Sequence, residues 1–273
     1  MKKDSYTIFG NGFVGINLAK YLRKKKYKVF IPKKGKYFFS KNLNNIIYCI
    51  GNDNWSKNPI ASYEANLGIV PKIIFKNKFE SFTLLSSTRV YLANSKKDTN
   101  ENSFIKVKTS SNSFLFNLLK LTAENLCLSI SNKKIRVVRI SNLFGDNFKK
   151  QIYLLPTLIR NSLLNKKIYI FINKKSSKDF LEVNEAFDVL NKILKYGKHR
   201  VYNVASGKNI KLFKIINKIK TITNCAVVYK NQKVMIKEPL IDISRIKNEF
   251  KFKPTNNLIS SLDKIIHNYK KNL

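Results

Sequence analysis

Apolar and polar positions along this 273-residue chain alternate between two periods. Thr7, Ile8 and Phe9 form a short apolar run of the kind that makes a buried strand. Phe13, Val14, Leu18, Tyr21 and Leu22 then recur at helical spacing, up to Lys24, Lys25 and Lys26. Further buried strands are predicted over residues 28–31, 46–50, 82–85 and 135–140. Between them, residues 62–79 contain a helix interrupted or restarted at Pro71, 92–111 read as a polar loop, and 113–129 as a strongly apolar helix. Strands alternating with helices predict an α/β fold with a doubly wound parallel sheet. Only about fifteen residues separate the second and third strands, against the thirty or more of a full strand–helix–strand unit, so one crossover is expected to be trimmed. After about residue 147 the pattern loosens. Helices are predicted over 152–164, 184–195, 212–222, 244–250 and 258–269, and short strands over 168–171, 180–183, 201–204 and 226–229.

The turn between the first strand and its helix has the spacing G-x-G-x-x-G, written here as Gly10, Asn11, Gly12, Phe13, Val14 and Gly15. Strand before and helix after is the context this spacing requires. One glycine permits the tight turn, one lets a pyrophosphate approach the backbone, and one lets helix and strand pack closely. The free N–H groups at the helix start then face the anion. An ordinary strand–turn–helix would share the outline, but the glycine spacing favours a Rossmann-type dinucleotide site. The expected organisation is a dinucleotide-binding domain over residues 1–147, with 148–273 mainly a small substrate-binding lobe. The two form one continuous unit, the lobe lying over the sheet's carboxyl edge, where open α/β sheets bind ligands. In such folds an acid near the end of the second strand bonds the adenosine ribose. Here that strand runs into Pro32, Lys33 and Lys34, which offer no acid and two cations that could meet a 2′-phosphate. NADP is therefore favoured over NAD as cofactor, the alternative being that Lys33 and Lys34 are simply two of 46 lysines.

Composition changes the picture in two ways. Cys49, Cys127 and Cys225 are odd in number, widely spaced and apolar in setting, which suggests reduced core residues. His199 and His267 stand far apart, and no metal site is suggested. No stretch approaches the length of a membrane span, and the first residues lead straight into a strand without room for a signal peptide, so a cytoplasmic location is expected. The net charge of +37 raises nucleic-acid or anionic-membrane binding. Against it, only seven of the 53 cationic residues are Arg, and the lysines are scattered without a block. Nucleic acid is the remote alternative, though such a field would draw in any anionic substrate.

The motifs together resemble the extended short-chain dehydrogenase/reductases, specifically the NAD-dependent epimerase/dehydratases of nucleotide sugars. The resemblance runs almost end to end. It rests on Gly12-Phe13-Val14-Gly15, Ser86-Ser87-Thr88-Arg89-Val90-Tyr91, Leu119-Lys120-Leu121-Thr122-Ala123-Glu124 and Arg139-Ile140-Ser141-Asn142-Leu143-Phe144-Gly145. It continues through Lys178-Asp179-Phe180-Leu181-Glu182-Val183-Asn184-Glu185, Tyr202-Asn203-Val204-Ala205-Ser206-Gly207 and Asp242-Ile243-Ser244-Arg245. It implies chemistry by a Tyr and a Lys four apart on one helix, with a Ser or Thr across the cleft. The lysine lowers the phenol's pKa and bonds the nicotinamide ribose, and the phenolate takes a proton from the sugar hydroxyl as hydride leaves. By position Lys120 is that lysine and Ser87 the hydroxyl, with Thr88 beside it as a substitute. The tyrosine position is Phe116, and no tyrosine lies between Tyr91 and Tyr153, so no register shift restores the pair.

Three readings follow: an NAD(P)-dependent enzyme whose proton donor comes from elsewhere, a protein that binds dinucleotide or nucleotide sugar without turnover, and a structural partner of an active homologue. The resemblance also implies cofactor contacts from Gly51 and from Asn66 on the helix after it. It implies substrate contacts from Arg89, Asn142 and Lys178, the last at a diphosphate-binding position. The lipophilic helix 113–129 implies a homodimer, since family members often pair through this helix and the one before it.

Overall fold

The computed structural model describes residues 4–95, 98–109, 114–145 and 153–271, with the side chains of 231–234 left aside. The chain opens with β1 (Ser5–Phe9), α1 (Phe13–Lys24), β2 (Lys28–Phe30) and β3 (Asn45–Tyr48). Then come α2 (Pro59–Tyr63), α3 (Ile69–Lys76), β4 (Ser81–Ser87), α4 (Leu115–Ser129), β5 (Ile135–Ile140) and β6 (Asn142–Phe144). The second half adds α5 (Leu154–Leu164), β7 (Lys167–Ile172), β8 (Ser177–Glu182), α6 (Val183–Tyr196) and β9 (Val201–Val204). It closes with β10 (Asn209–Lys211), α7 (Leu212–Thr223), β11 (Ala226–Val234), α8 (Ser244–Phe250) and α9 (Leu258–Lys270). Residues 110–113 and 146–152, which include the expected start of the apolar helix and of the 152–164 helix, lie outside the described residues.

Six strands form one parallel sheet in the order β2-β1-β3-β4-β5-β9, the expected doubly wound Rossmann-type architecture. Residues 31–44, between β2 and β3, contain neither helix nor strand, so the trimmed crossover is real and β2 ends the sheet. The alternation of side chains along each strand covers both faces. On β4, Phe82 and Leu84 pack under Ile69, Val70 and Ile73 of α3 and Ala123 and Cys127 of α4. Leu85 turns the other way, into a cluster with Leu18 and Leu22 of α1, Phe187 and Leu190 of α6 and Phe250 of α8. Another cluster gathers Leu155, Ile159, Ile168, Ile170, Ile215, Ile219 and Leu262 of the second half of the chain, with Phe144 of the first. Among the described residues there are also a three-stranded sheet, β10-β8-β6, and a two-stranded one, β11-β7.

Two local features depart from expectation. β6 and β10 are three residues each, too short to leave a periodic signal. The helix before β4 starts earlier, at Pro59, where the Asn58 side chain accepts from Ala61 N at 2.9 Å. Its irregularity lies at Glu64–Gly68, a wide π turn, rather than at Pro71. A π turn loosens the regular backbone ladder where the ring of Pro71 would otherwise press on the carbonyl four residues back, and α3 then runs through the proline.

Candidate active site

The strand order reverses between β1 and β3, and both strands end in glycine turns there. Gly10 has φ +124°, and a Cβ on it would lie 2.9 Å from the Cys49 carbonyl carbon. A Cβ on Gly15 would stand 2.0 Å from the Gly10 oxygen, so α1 is pressed onto the turn. Gly12 is the opposite case: nothing lies within 4 Å of a Cβ built there, and it and Asn11 are exposed. α1 begins without a side-chain cap and without an acid in its first turn, which suits an incoming anion. Phe13 and Val14 are half-buried against the core. Open space over Gly12 and crowding at Gly10 and Gly15 fit the diphosphate of a dinucleotide. Lys33 and Lys34 are exposed just past β2, in a turn closed by Lys36 N donating to Lys33 O at 3.1 Å.

Gly51, Asn66 and Lys120 converge. The π turn buries Asn66, whose Nδ2 donates to Asn52 O at 2.6 Å and to Ser62 O at 2.8 Å. Its Oδ1 is buried without a hydrogen-bond partner among the described residues. A Cβ on Gly51 would meet that oxygen at 3.5 Å and Lys120 Nζ at 3.7 Å. Lys120 is buried and donates to Leu85 O at 3.3 Å. Burial pulls its pKa down to about 8, against the opposing charges of Glu124 and Cys49. The Cys49 thiol is itself pushed up to about 12 by burial.

Phe116 lies one turn before Lys120. It is buried yet belongs to none of the three apolar clusters of described residues. Two cations face its ring instead: Arg89 Cζ at 5.5 Å from the centroid and Lys120 Nζ at 5.8 Å. Ser87 sits between Leu85, which holds Lys120, and Arg89, which faces Phe116. Its Oγ accepts from Arg89 N at 3.2 Å and so caps the short 3₁₀ turn Thr88–Tyr91, in which Thr88 is buried. Asn117 Nδ2 pins that turn to α4 through Arg89 O at 3.0 Å.

Behind this lies a buried polar network. Arg139 NH2 pairs with Glu124 Oε2 at 2.6 Å, and Ser86 Oγ donates to Glu124 Oε1 at 2.5 Å. Arg139 NH1 donates to the Tyr91 hydroxyl, which in turn donates to Asn203 Oδ1 at 3.1 Å. Tyr91 is fully buried, and burial raises its pKa despite Arg139, so its hydroxyl is occupied away from the cleft.

Toward the lobe, Asn142 Nδ2 donates to Asp179 O at 2.9 Å and to Glu238 Oε2 at 3.2 Å, and Lys178 Nζ pairs with Glu238 Oε1 at 2.9 Å. Burial lowers the Arg89 pKa, and the charges of Asp53 and Glu238 oppose that shift. The sequence reading missed Asp53 and Glu238. The available signal was that a chain with 16 acidic and 53 basic residues has few carboxylates to spend. Among the described residues no group of three or more His, Cys, Asp or Glu could hold a metal ion, and no helix is long and apolar enough to cross a membrane.

A parallel α/β sheet with a glycine cradle at its switch point and a buried lysine beside it defines a dinucleotide-binding class of protein. The model of the NAD-dependent epimerase/dehydratase family matches residues 37–205, more than half of the chain, and the protein belongs to that family. Among curated proteins, none matches the sequence. Solved structures similar in fold include RMD from Pseudomonas aeruginosa complexed with NADPH, at 19% identity and TM-score 0.83, covering 99% of this chain and 100% of that one. Another is dTDP-glucose 4,6-dehydratase from Bacillus anthracis with NAD, at 17% identity and TM-score 0.82, covering 98% and 97%. A third is UDP-glucose 4-epimerase from Thermotoga maritima with UDP-glucose, at 15% identity and TM-score 0.83, covering 98% and 99%.

Proposed function

We propose that the protein is an NAD(P)-dependent oxidoreductase or isomerase of a nucleotide sugar, acting in the cytoplasm as a homodimer. The observation that carries this reading is the meeting of Gly51, Asn66 Oδ1 and Lys120 Nζ at one point beside the glycine cradle. Structures of similar fold bound to NADPH, NAD or UDP-glucose support it. A nicotinamide dinucleotide, when bound, supplies hydride acceptance and return.

The chain supplies the rest. The backbone of Gly10, Asn11, Gly12, Phe13, Val14 and Gly15 holds the diphosphate. Lys33 and Lys34 stand where a 2′-phosphate would lie, which favours NADP. Lys120 and Asn66 face the ribose beside Gly51. Ser87 orients the sugar hydroxyl, and Thr88 stands behind it. A phenyl ring moves no proton, so at Phe116 the family's acid is missing. The proton leaves through Ser87 to Lys120 in its neutral amine form, whose share grows as pH rises through a pKa of about 8. Arg89, Asn142 and Lys178 border the substrate end.

A second reading, binding without turnover, is favoured by the same ring: general acid–base groups typically contribute about 10² to 10⁴ in rate. One experiment separates the two. Melting temperatures are measured with NADP and NAD, and turnover of nucleotide sugars is compared between the wild type and Phe116→Tyr. The enzyme reading expects stabilisation by NADP, slow wild-type turnover and a gain of up to about 10²-fold in the variant. Stabilisation with no turnover in either protein leaves only binding. Indifference to both dinucleotides removes the cofactor altogether.

A further inference from the structure

Three donors, one on β6 and two on β8, meet on one carboxylate. Glu238, 9% exposed, accepts from Lys178 Nζ at 2.9 Å through Oε1. Through Oε2 it accepts from Asn142 Nδ2 at 3.2 Å and from Asp179 N at 3.3 Å. Its own backbone is stitched alongside β8. Glu238 N donates to Ser177 O at 3.1 Å, Ser177 N donates to Ile236 O at 2.9 Å, and Asn209 Nδ2 donates to Glu238 O at 2.6 Å. The carboxylate is therefore held by a fixed segment and has not swung in from a loose end.

An ammonium, an amide and a backbone N–H around two oxygens is the donor set that would bind a phosphate. Here a side chain of the same protein fills it. The charges of Glu238 and Asp53 also act on Arg89, the other cation facing the substrate end. In a chain of net charge +37, this corner is locally close to neutral. A diphosphate placed there would meet a fixed carboxylate and a lysine already paired with it, and like charges side by side are unfavourable.

We propose that Glu238 sets the specificity of this subsite: it stands in the anion's place between Lys178, Asn142 and the Asp179 N–H, and so withholds Lys178 from a substrate diphosphate. The proposal rests on reading the cleft as a nucleotide-sugar site. It gives that site weak affinity for the diphosphate and leaves recognition to the nucleoside and sugar ends.

The test is a double-substitution cycle read by calorimetry. UDP is the probe and NADP is present at saturation, so that the glycine cradle is not a second diphosphate site. Glu238→Gln should bind UDP at least about tenfold more tightly than the wild type. The pair Lys178→Gln with Glu238→Gln restores the charge balance and should match the wild type within about twofold. UDP binding no tighter in a folded Glu238→Gln variant overturns the proposal. So does a tenfold loss in the double variant, since that would mean Lys178 holds the diphosphate in the wild type. The double variant also decides the matter if Glu238→Gln alone does not fold. Failure of NADP to bind the wild type is a separate result, against the dinucleotide reading. The cradle, identical in every variant, then contributes equally to each, and the UDP series is read by the differences between variants.

Discussion

Lys120 is the group whose surroundings most limit what it can do. Its ammonium is buried against a phenyl ring and holds one carbonyl at 3.3 Å, while the nearby Glu124 carboxylate is taken by Ser86 and Arg139. Burial lowers the pKa from 10.5 to about 8. The sign of the linkage follows. Below pH 8 both folded and unfolded chains carry the proton and the full cost of the buried charge is present. Between about 8 and 10.5 the folded chain has released it and the unfolded chain has not, so stability rises with pH. Lys120→Met should abolish that rise and leave the ligand-free protein more stable near neutrality, by on the order of 3 kcal/mol. Urea titrations of both proteins from pH 7 to about 10.5 check this; parallel stability curves would contradict it. At this scale the sequence was partly legible. The four-residue step from Phe116 to Lys120 could be read directly, because it is local. The burial of Asn66 could not, because a π turn rotates the helix face without altering composition. Glu238 stayed hidden because its segment reaches β8 through contacts about sixty residues away along the chain.

At the scale of elements, the motif pieces turn out to be parts of one object. The next-to-last residue of the serine strand β4, the helix glutamate, the strand arginine, the tyrosine that ends the 3₁₀ turn and the asparagine of β9 form the chain Ser86–Glu124–Arg139–Tyr91–Asn203. It ties α4, β4, β5 and β9 together behind the cleft. A buried ion pair with its remaining valences satisfied gives a strong penalty when one partner is removed. Glu124→Gln leaves Arg139 buried and unpaired and should cost about 3–5 kcal/mol, seen as a lower urea midpoint with unchanged slope. A loss below about 1 kcal/mol would mean that the pair is solvated in solution. Element identity was largely legible where periodicity had room to show, as in α1, β5, β9 and α8. β6 and β10 are too short for that, and their strands are set by pairing with β8.

For the whole molecule, the doubly wound sheet and the trimmed crossover were visible in strand spacing alone. The charge says less about the site: the lysines are scattered along the whole chain, while two of the few acids, Asp53 and Glu238, act on Arg89. On α4, Leu115 and Leu118 are only half-buried and belong to none of the apolar clusters of described residues, and Phe75 of α3 is 65% exposed. This supports pairing of two copies through α3 and α4. Light scattering at micromolar concentration should give a dimer mass, and Leu118→Glu should return it to monomer. A monomeric wild type would end that expectation.

The sixth strand of the sheet has a consequence for how the chain acquires its shape. β9 pairs with β5, Val137 opposite Val201, only after the chain has travelled through α5, β7, β8 and α6. During synthesis the β5 edge therefore emerges without its strand partner, its backbone groups bonded only to water. Closure waits on a segment made much later, so the nascent protein passes through an aggregation-prone interval that ends when residues 201–204 dock.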